Sequence, residues 1–251
     1  MASTSAAEGG TTRDAFLGGR VMALQPARGF RSGPDAVLLA AAVTARPGET
    51  ALELGCGAGV AALCLAARVP GLAVTGLEVQ PAYAALARAN GLDIVEGSVA
   101  AMPRALKERR FHHVLANPPW FDRRAGLPSP DAGRDLAFGG PVPLRDWVAA
   151  GARRLLPRGT FTLIARIECL PEALSACEGR LGGIAVRPLA GRAGRAPGRF
   201  VLRAMREGRG AFRLLPPLVL HEGAAHRSDR DGFAPGVDAI LKDGAPFPWT
   251  D

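Results

Sequence analysis

Asn117-Pro118-Pro119-Trp120 puts a side-chain amide, two prolines and an aromatic ring in consecutive positions. An exocyclic amine on a base or an amide is a poor nucleophile because its lone pair is delocalised. The Asn117 side-chain oxygen and the Pro118 backbone carbonyl can accept the two hydrogens of such an amine. That grip favours a pyramidal nitrogen whose lone pair points at an electrophile. Pro118 and Pro119 stiffen the segment, since the proline ring restricts φ. Trp120 offers a face on which a flipped base can stack, an interaction of about 1–3 kcal/mol. The chemistry that fits is in-line methyl transfer to a planar nitrogen, driven by positioning and charge complementarity. No side-chain base is needed, because the amine proton becomes acidic only after the methyl has arrived. The blander reading is a proline turn that ends a strand.

A methyl donor needs its own site, and an acidic glycine-rich turn lies upstream: Glu53-Leu54-Gly55-Cys56-Gly57-Ala58-Gly59. Gly55, Gly57 and Gly59 let the backbone turn tightly and approach a ligand closely. Val60 stands where a dinucleotide fingerprint places its third glycine, which disfavours an NAD-type dehydrogenase. Glu53 would repel a pyrophosphate but can accept from a cationic amino group. Glu78, followed by Val79, ends the next apolar segment, where a carboxylate can accept both ribose hydroxyls. These features select a cofactor with an amino-acid tail, a sulfonium and a ribose: S-adenosyl-L-methionine. Ser98 and Val99 follow the third strand and are expected beside the adenine of that cofactor. Ser98 keeps a hydrogen-bonding oxygen but lacks the charge of the Asp common at such positions.

These residues must be held by a framework, and the chain supplies one. At 251 residues it is long enough for one large α/β domain, read here as 13–251 after a disordered tail over 1–12. Alternation predicts strands at 51–54, 72–78, 93–95, 111–116 and 160–165, then 183–189 and 200–206. Helices are expected at 60–69, 80–90, 146–156 and 171–181. A hairpin within 14–31 and a helix at 36–43, capped by Ser32 or Asp35, come first. The fold class is therefore α/β and Rossmann-like, a mostly parallel seven-stranded sheet with helices on both faces and an antiparallel edge strand. Residues 122–143 form a loop rich in Gly, Pro, Asp and Arg, of a length that usually carries function. The longest apolar run is too short to span a bilayer, and the N-terminus has no signal pattern, which places the protein in the cytoplasm. Cys56, Cys64, Cys169 and Cys177 lack metal spacing and read as reduced core residues. His112 and His113 point to opposite faces of one strand and cannot easily share a metal.

Taken together, these motifs resemble those of the class I S-adenosylmethionine-dependent methyltransferases, and more narrowly the bacterial tRNA(Val) adenine N6-methyltransferase family. The narrower resemblance rests on Phe16-Leu17-Gly18-Gly19-Arg20, Gln25-Pro26, Gly29-Phe30-Arg31 through Asp35 with Leu38-Leu39-Ala40, the glycine turn, Asn117 to Phe121, and Leu215 to His221. It implies methylation of the adenine next to the third anticodon base. It also implies that the segment from Arg31 to Asp35 closes over the cofactor. Trp120 departs from the commoner Tyr, keeping the stacking face without the hydroxyl. Ser98 and His112 each replace an Asp.

The net charge of +8, carried almost wholly by arginine, favours a polyanionic partner, and tRNA is the expected one. Arg123 and Arg124 follow the tetrad, and Arg192, Arg195 and Arg199 cluster between the last two strands. Both groups are expected to contact phosphate, which positions RNA without reading its sequence. The protein is expected to be a monomer. Competing readings are a methyltransferase for another planar nitrogen, such as guanine N2 in ribosomal RNA or a protein glutamine amide, and a catalytically idle RNA-binding module that kept the fold.

Overall fold

A computed structural model describes residues 10–119, 142–223 and 232–250. The chain opens with a hairpin, β1 (Thr11–Phe16) antiparallel to β2 (Val21–Pro26), joined by a single tight turn at Leu17–Gly19. Thr11 and Thr12, expected in a tail, are thus paired with Pro26 and Gln25. Helix α1 (Pro34–Ala42) leads into the main sheet.

Strands β3 (Thr50–Leu54), β4 (Ala73–Glu78), β5 (Asp93–Glu96) and β6 (Phe111–Ala116) are parallel neighbours, with β3 at the centre of the crossovers. They alternate with α2 (Val60–Arg68), α3 (Pro81–Ala89) and the short α4 (Arg104–Lys107). Helix α5 (Leu144–Arg154) leads into β7 (Leu155–Arg166), and α6 (Leu170–Cys177) into β8 (Leu181–Ala190). Strand β9 (Arg199–Arg206) and two short strands, β10 (Arg213–Leu214) and β11 (Leu218–Val219), precede α7 (Pro235–Asp243). The strand order is β10-β8-β9-β7-β6-β3-β4-β5, with β11 also on β8.

Each strand sends alternate side chains to opposite faces, and a separate core forms on each. Leu115, Ile164 and Val201 join Leu39, Leu65 and Ile240 on the face covered by α1, α2 and α7. Val114, Phe161 and Leu163 join Leu106, Val148 and Ala173 under α4, α5 and α6. Helix α5 approaches the sheet closely at Gly151, where a Cβ would lie 2.5 Å from the Phe161 ring.

Several expectations are corrected. The sheet has nine strands, because the short β10 and β11 extend it beyond β8. The antiparallel strand is not at the edge: β9 is inserted between β7 and β8 and pairs with both. Neither Ser32 nor Asp35 caps α1; its N-cap is Gly33, with no side-chain bond. The Ser32 backbone N–H instead donates to Gln25 Oε1, and Asp35 pairs with Arg199. Strand β7 starts at Leu155, then shifts register before Thr160, with Arg158 at φ 61°. Helix α6 ends at Cys177, where Glu178 takes an extended conformation and Gly179 a φ of 67°.

Candidate active site

Parallel register brings the chemistry-bearing residues to one edge. Leu54 pairs with Leu77 of β4 and Ala116 of β6, so Gly55 and Asn117 leave neighbouring strands side by side. Glu78 pairs with Glu96, which brings Gly97 and Ser98 to the same carboxyl edge. The strand ends are tied together: Cys56 N–H donates to the Leu77 carbonyl at 3.0 Å and Gly97 N–H to that of Glu78 at 2.9 Å.

The glycine turn requires glycine. Gly55, Gly57 and Gly59 have φ of 64°, 57° and 85°, a region costly for residues with a Cβ. A Cβ on Gly55 would also sit 2.6 Å from the Trp147 ring. At Gly57 a Cβ would enter a slot facing Phe30 and Tyr83 at 3.9 and 4.0 Å. Phe30 is exposed there, and the Tyr83 hydroxyl donates to its carbonyl at 3.0 Å.

Two buried carboxyls flank the turn. Glu53 is 4% exposed, and its Oε2 accepts the Ala62 N–H at 2.9 Å, capping the free N-terminus of α2 from the strand before it. Burial drives the Glu53 carboxyl up to about 8 against that hydrogen bond, and the Glu78 charge adds to the rise. Glu78 is 5% exposed and accepts Gly57 N–H and Gln80 N–H, both at 2.8 Å. Burial raises it too, opposed by those N–H groups and that of Val79. Each Glu78 oxygen keeps a further lone pair, so the carboxylate can hold the turn and still accept hydroxyls. Burial, then Glu53 and Glu78, push the Cys56 thiol upward. It stays protonated and does not act as a nucleophile.

The segment 31–35 is tied to the hairpin at Arg31 and Ser32 and to β9 at Asp35. Gln25, 2% exposed, accepts from Ser32 N–H at 2.8 Å and donates to the Ser32 carbonyl at 3.2 Å and to Asp14 at 2.7 Å. Arg31 donates to both oxygens of Asp14, at 2.7 and 2.8 Å. Asn90 bridges Leu24 and the Ala58 carbonyl. Sequence reasoning passed over Tyr83 and Asn90; the signal for Tyr83 was its being the sole tyrosine.

Asn117, Pro118, Ser98 and Val79 are half-buried, Val99 is buried and Pro119 is exposed. Ser98 Oγ accepts Ala100 N–H at 3.2 Å. Trp120, Arg123 and Arg124 lie outside the described residues. Arg199 reaches Asp35, Arg192 donates to the carbonyls of Glu222 and Gly223, and Arg195 is exposed. The β8–β9 connection that carries Arg192 and Arg195 projects from the carboxyl edge, and Arg199 opens β9. His112 and His113 lie at the opposite edge and diverge, His112 to Thr50 and His113 to Thr160 and Glu49.

Residues 33–128 match the family described as methyltransferase small domain. A tRNA1(Val) (adenine(37)-N6)-methyltransferase from Porphyromonas gingivalis is 31% identical over 161 residues, covering 57% of this chain and 61% of that protein. One of the same name from Aeromonas hydrophila is 28% identical over 213 residues, covering 80% and 86%. Among solved structures, a predicted O-methyltransferase from Agrobacterium tumefaciens aligns at a TM-score of 0.67 with 27% identity, over 84% of this chain and 96% of that one.

The chain has the class I S-adenosylmethionine-dependent methyltransferase fold, and S-adenosylmethionine is the cofactor that this fold implies. Within that class, its curated relatives carry the name tRNA1(Val) adenine N6-methyltransferase. The residues present suit the group: a glycine cradle that a Cβ would fill, and two buried acceptors beside it.

Proposed function

We propose that the protein methylates the exocyclic N6 amine of an adenine in tRNA, beside the anticodon of a valine tRNA, using S-adenosylmethionine. The carrying observation is the register that sets Asn117 next to the glycine turn, on the edge where Glu53 and Glu78 converge. The names of the relatives support the choice of adenine and tRNA.

When bound, the cofactor supplies a sulfonium-activated methyl group. The residues of this chain do the rest. Glu53 accepts from a cationic amino group, Glu78 from ribose hydroxyls, and Ser98 with Val99 follows β5, where the adenine is expected. Gly55, Cys56, Gly57, Gly59 and Val79 form the cradle, and the Arg31–Asp35 arch covers it. Asn117 and the Pro118 carbonyl accept the two hydrogens of the target amine, Pro119 stiffens the segment, and Trp120 supplies the stacking face. The nitrogen gains the methyl, and a proton leaves to solvent afterwards. Arg192, Arg195 and Arg199, with Arg123 and Arg124, face the RNA. Residues 13–251 act as one catalytic domain in the cytoplasm, as a monomer. Among the described residues, no helix is long and apolar enough to cross a membrane.

Incubation with total tRNA and labelled S-adenosylmethionine, followed by nucleoside analysis, tests the reading. N6-methyladenosine in a valine tRNA is expected. Methylguanosine, or label in protein alone, would replace it with the corresponding alternative.

A further inference from the structure

A basic groove runs from Val99, beside the expected adenine position, to the opposite edge of the sheet. Two hollows of about 330 Å³ each share Arg153 and Arg154 at the end of α5. One continues past Lys107 of α4 to Met102, Ala100 and Val99; the other is walled by Arg110, Arg180 and Arg206. Arg110 precedes β6, Arg180 precedes β8, and Arg206 pairs with Leu181 at the end of the antiparallel β9. The far end of the groove therefore opens at the amino edge of the sheet. Strand β6 alone separates that edge from Asn117 by about 20 Å.

The charges here are not balanced. Among the described residues, Arg110, Arg153, Arg154 and Arg180 form no ion pair, whereas Arg104 and Arg206 have glutamate partners. Arg154 is the sharpest case, at 7% exposed. Its guanidinium donates to the carbonyls of Leu106 and Lys107 at the end of α4. Those oxygens satisfy N–H groups without neutralising the charge. A buried cation without a counter-ion is costly, and an anion in the groove would relieve that cost. Arg110, Arg153 and Arg180 are exposed, with guanidinium forks suited to phosphate oxygens.

We propose that this groove holds the phosphate backbone of the RNA substrate at a point remote from the methylated base. It rests on the RNA reading above for the identity of the polyanion. A free nucleotide would not need two linked hollows, and the distance from Asn117 calls for a substrate that extends along the whole height of the sheet.

The test uses the full chain and a valine tRNA transcript. Binding is titrated at several salt concentrations for the wild type and for the double variant Arg153→Gln/Arg180→Gln, with Arg104→Gln as a control basic substitution outside the groove. Circular dichroism confirms that each variant is folded, and S-adenosylmethionine affinity is expected to be unchanged. The double variant should bind tRNA about tenfold to a hundredfold more weakly, with the salt slope reduced by about 1.5, as two lost phosphate contacts require. The KM for tRNA should rise with kcat preserved. An unchanged slope and affinity in the double variant would overturn the groove while leaving the methylation reading intact. If the protein binds tRNA through the groove but methylates none, the groove stands and the methylation reading falls. Binding of polyglutamate in preference to tRNA would assign the groove to an acidic protein instead.

Discussion

Cofactor binding should release a proton from Glu53. Burial raises that carboxyl from its usual 4.5 to about 8, so at pH 7 about nine in ten molecules hold it neutral. A cationic amino group beside it favours the ionised form. Binding at pH 7 should then release close to one proton, and affinity should strengthen about tenfold from pH 6 to pH 7. The rise should stop near pH 8, where Glu53 is half ionised and an α-amino group loses its own proton. Calorimetric titrations with S-adenosylmethionine, in buffers of different ionisation enthalpy, count the protons directly. Glu78 is also raised by burial, and Glu53→Gln separates the two. The amide oxygen can still accept from Ala62, but the side chain cannot titrate. The variant should bind more weakly at pH 8 and lose most of the dependence between pH 6 and 7. The same shift has a stability consequence. The folded chain holds this proton between 4.5 and about 8 while the unfolded chain releases it. Glu53 therefore costs stability progressively as pH rises through that window, and Glu53→Gln should gain on the wild type at pH 8. An undiminished pH dependence of binding in Glu53→Gln would refute the assignment of this carboxyl to the amino group.

Other consequences are equally direct. Asn117→Ala should abolish methyl transfer while leaving S-adenosylmethionine affinity within about threefold; calorimetry with a labelled-methyl assay checks both, and parallel loss would show that Asn117 holds the cofactor. Gly55→Ala meets the Trp147 ring at 2.6 Å and must hold φ near 64°. It should cost about 3 kcal/mol by chemical denaturation, from overpacking and backbone strain together. Burial lowers His113 below its usual 6.5, outweighing the hydrogen bond to Glu49. The unfolded chain takes up this proton first, so stability should decline as pH falls below 6.5. His113→Gln should flatten that decline in urea midpoints measured at pH 7.5 and 5.5.

The parallel half of the sheet was legible because each strand is a short apolar run between polar turns. Phe111–Ala116 appears at its expected bounds, and the glycine turn and both glutamates fall where their spacing places them. What was not legible depends on partners distant in sequence. Ser32 and Asp35 have the chemistry of helix caps, yet Gln25 and Arg199 compete for them and win. Strands of two residues, such as Arg213–Leu214, carry no periodicity and exist only by pairing with β8. Helix α7 had a readable signature, Pro235 at its start and Gly244 in the left-handed region after its end. Its apolar stripe is short, and its place is set by the tail: Trp249 donates to the Ala42 carbonyl and Phe247 N–H to that of Ala41. The unpaired arginines of the groove come from the end of α5 and the approaches to β6 and β8, and no local window could have grouped them.

Asn90 has a consequence for how this chain behaves among its own copies. An exposed strand margin invites another chain to zip onto it. On β2 that invitation is withdrawn at Leu24, whose N–H and carbonyl are both engaged by the Asn90 amide, at 2.8 and 3.0 Å. One side chain imitates a neighbouring strand, and in crowded solution the hairpin has that much less with which to recruit a stranger.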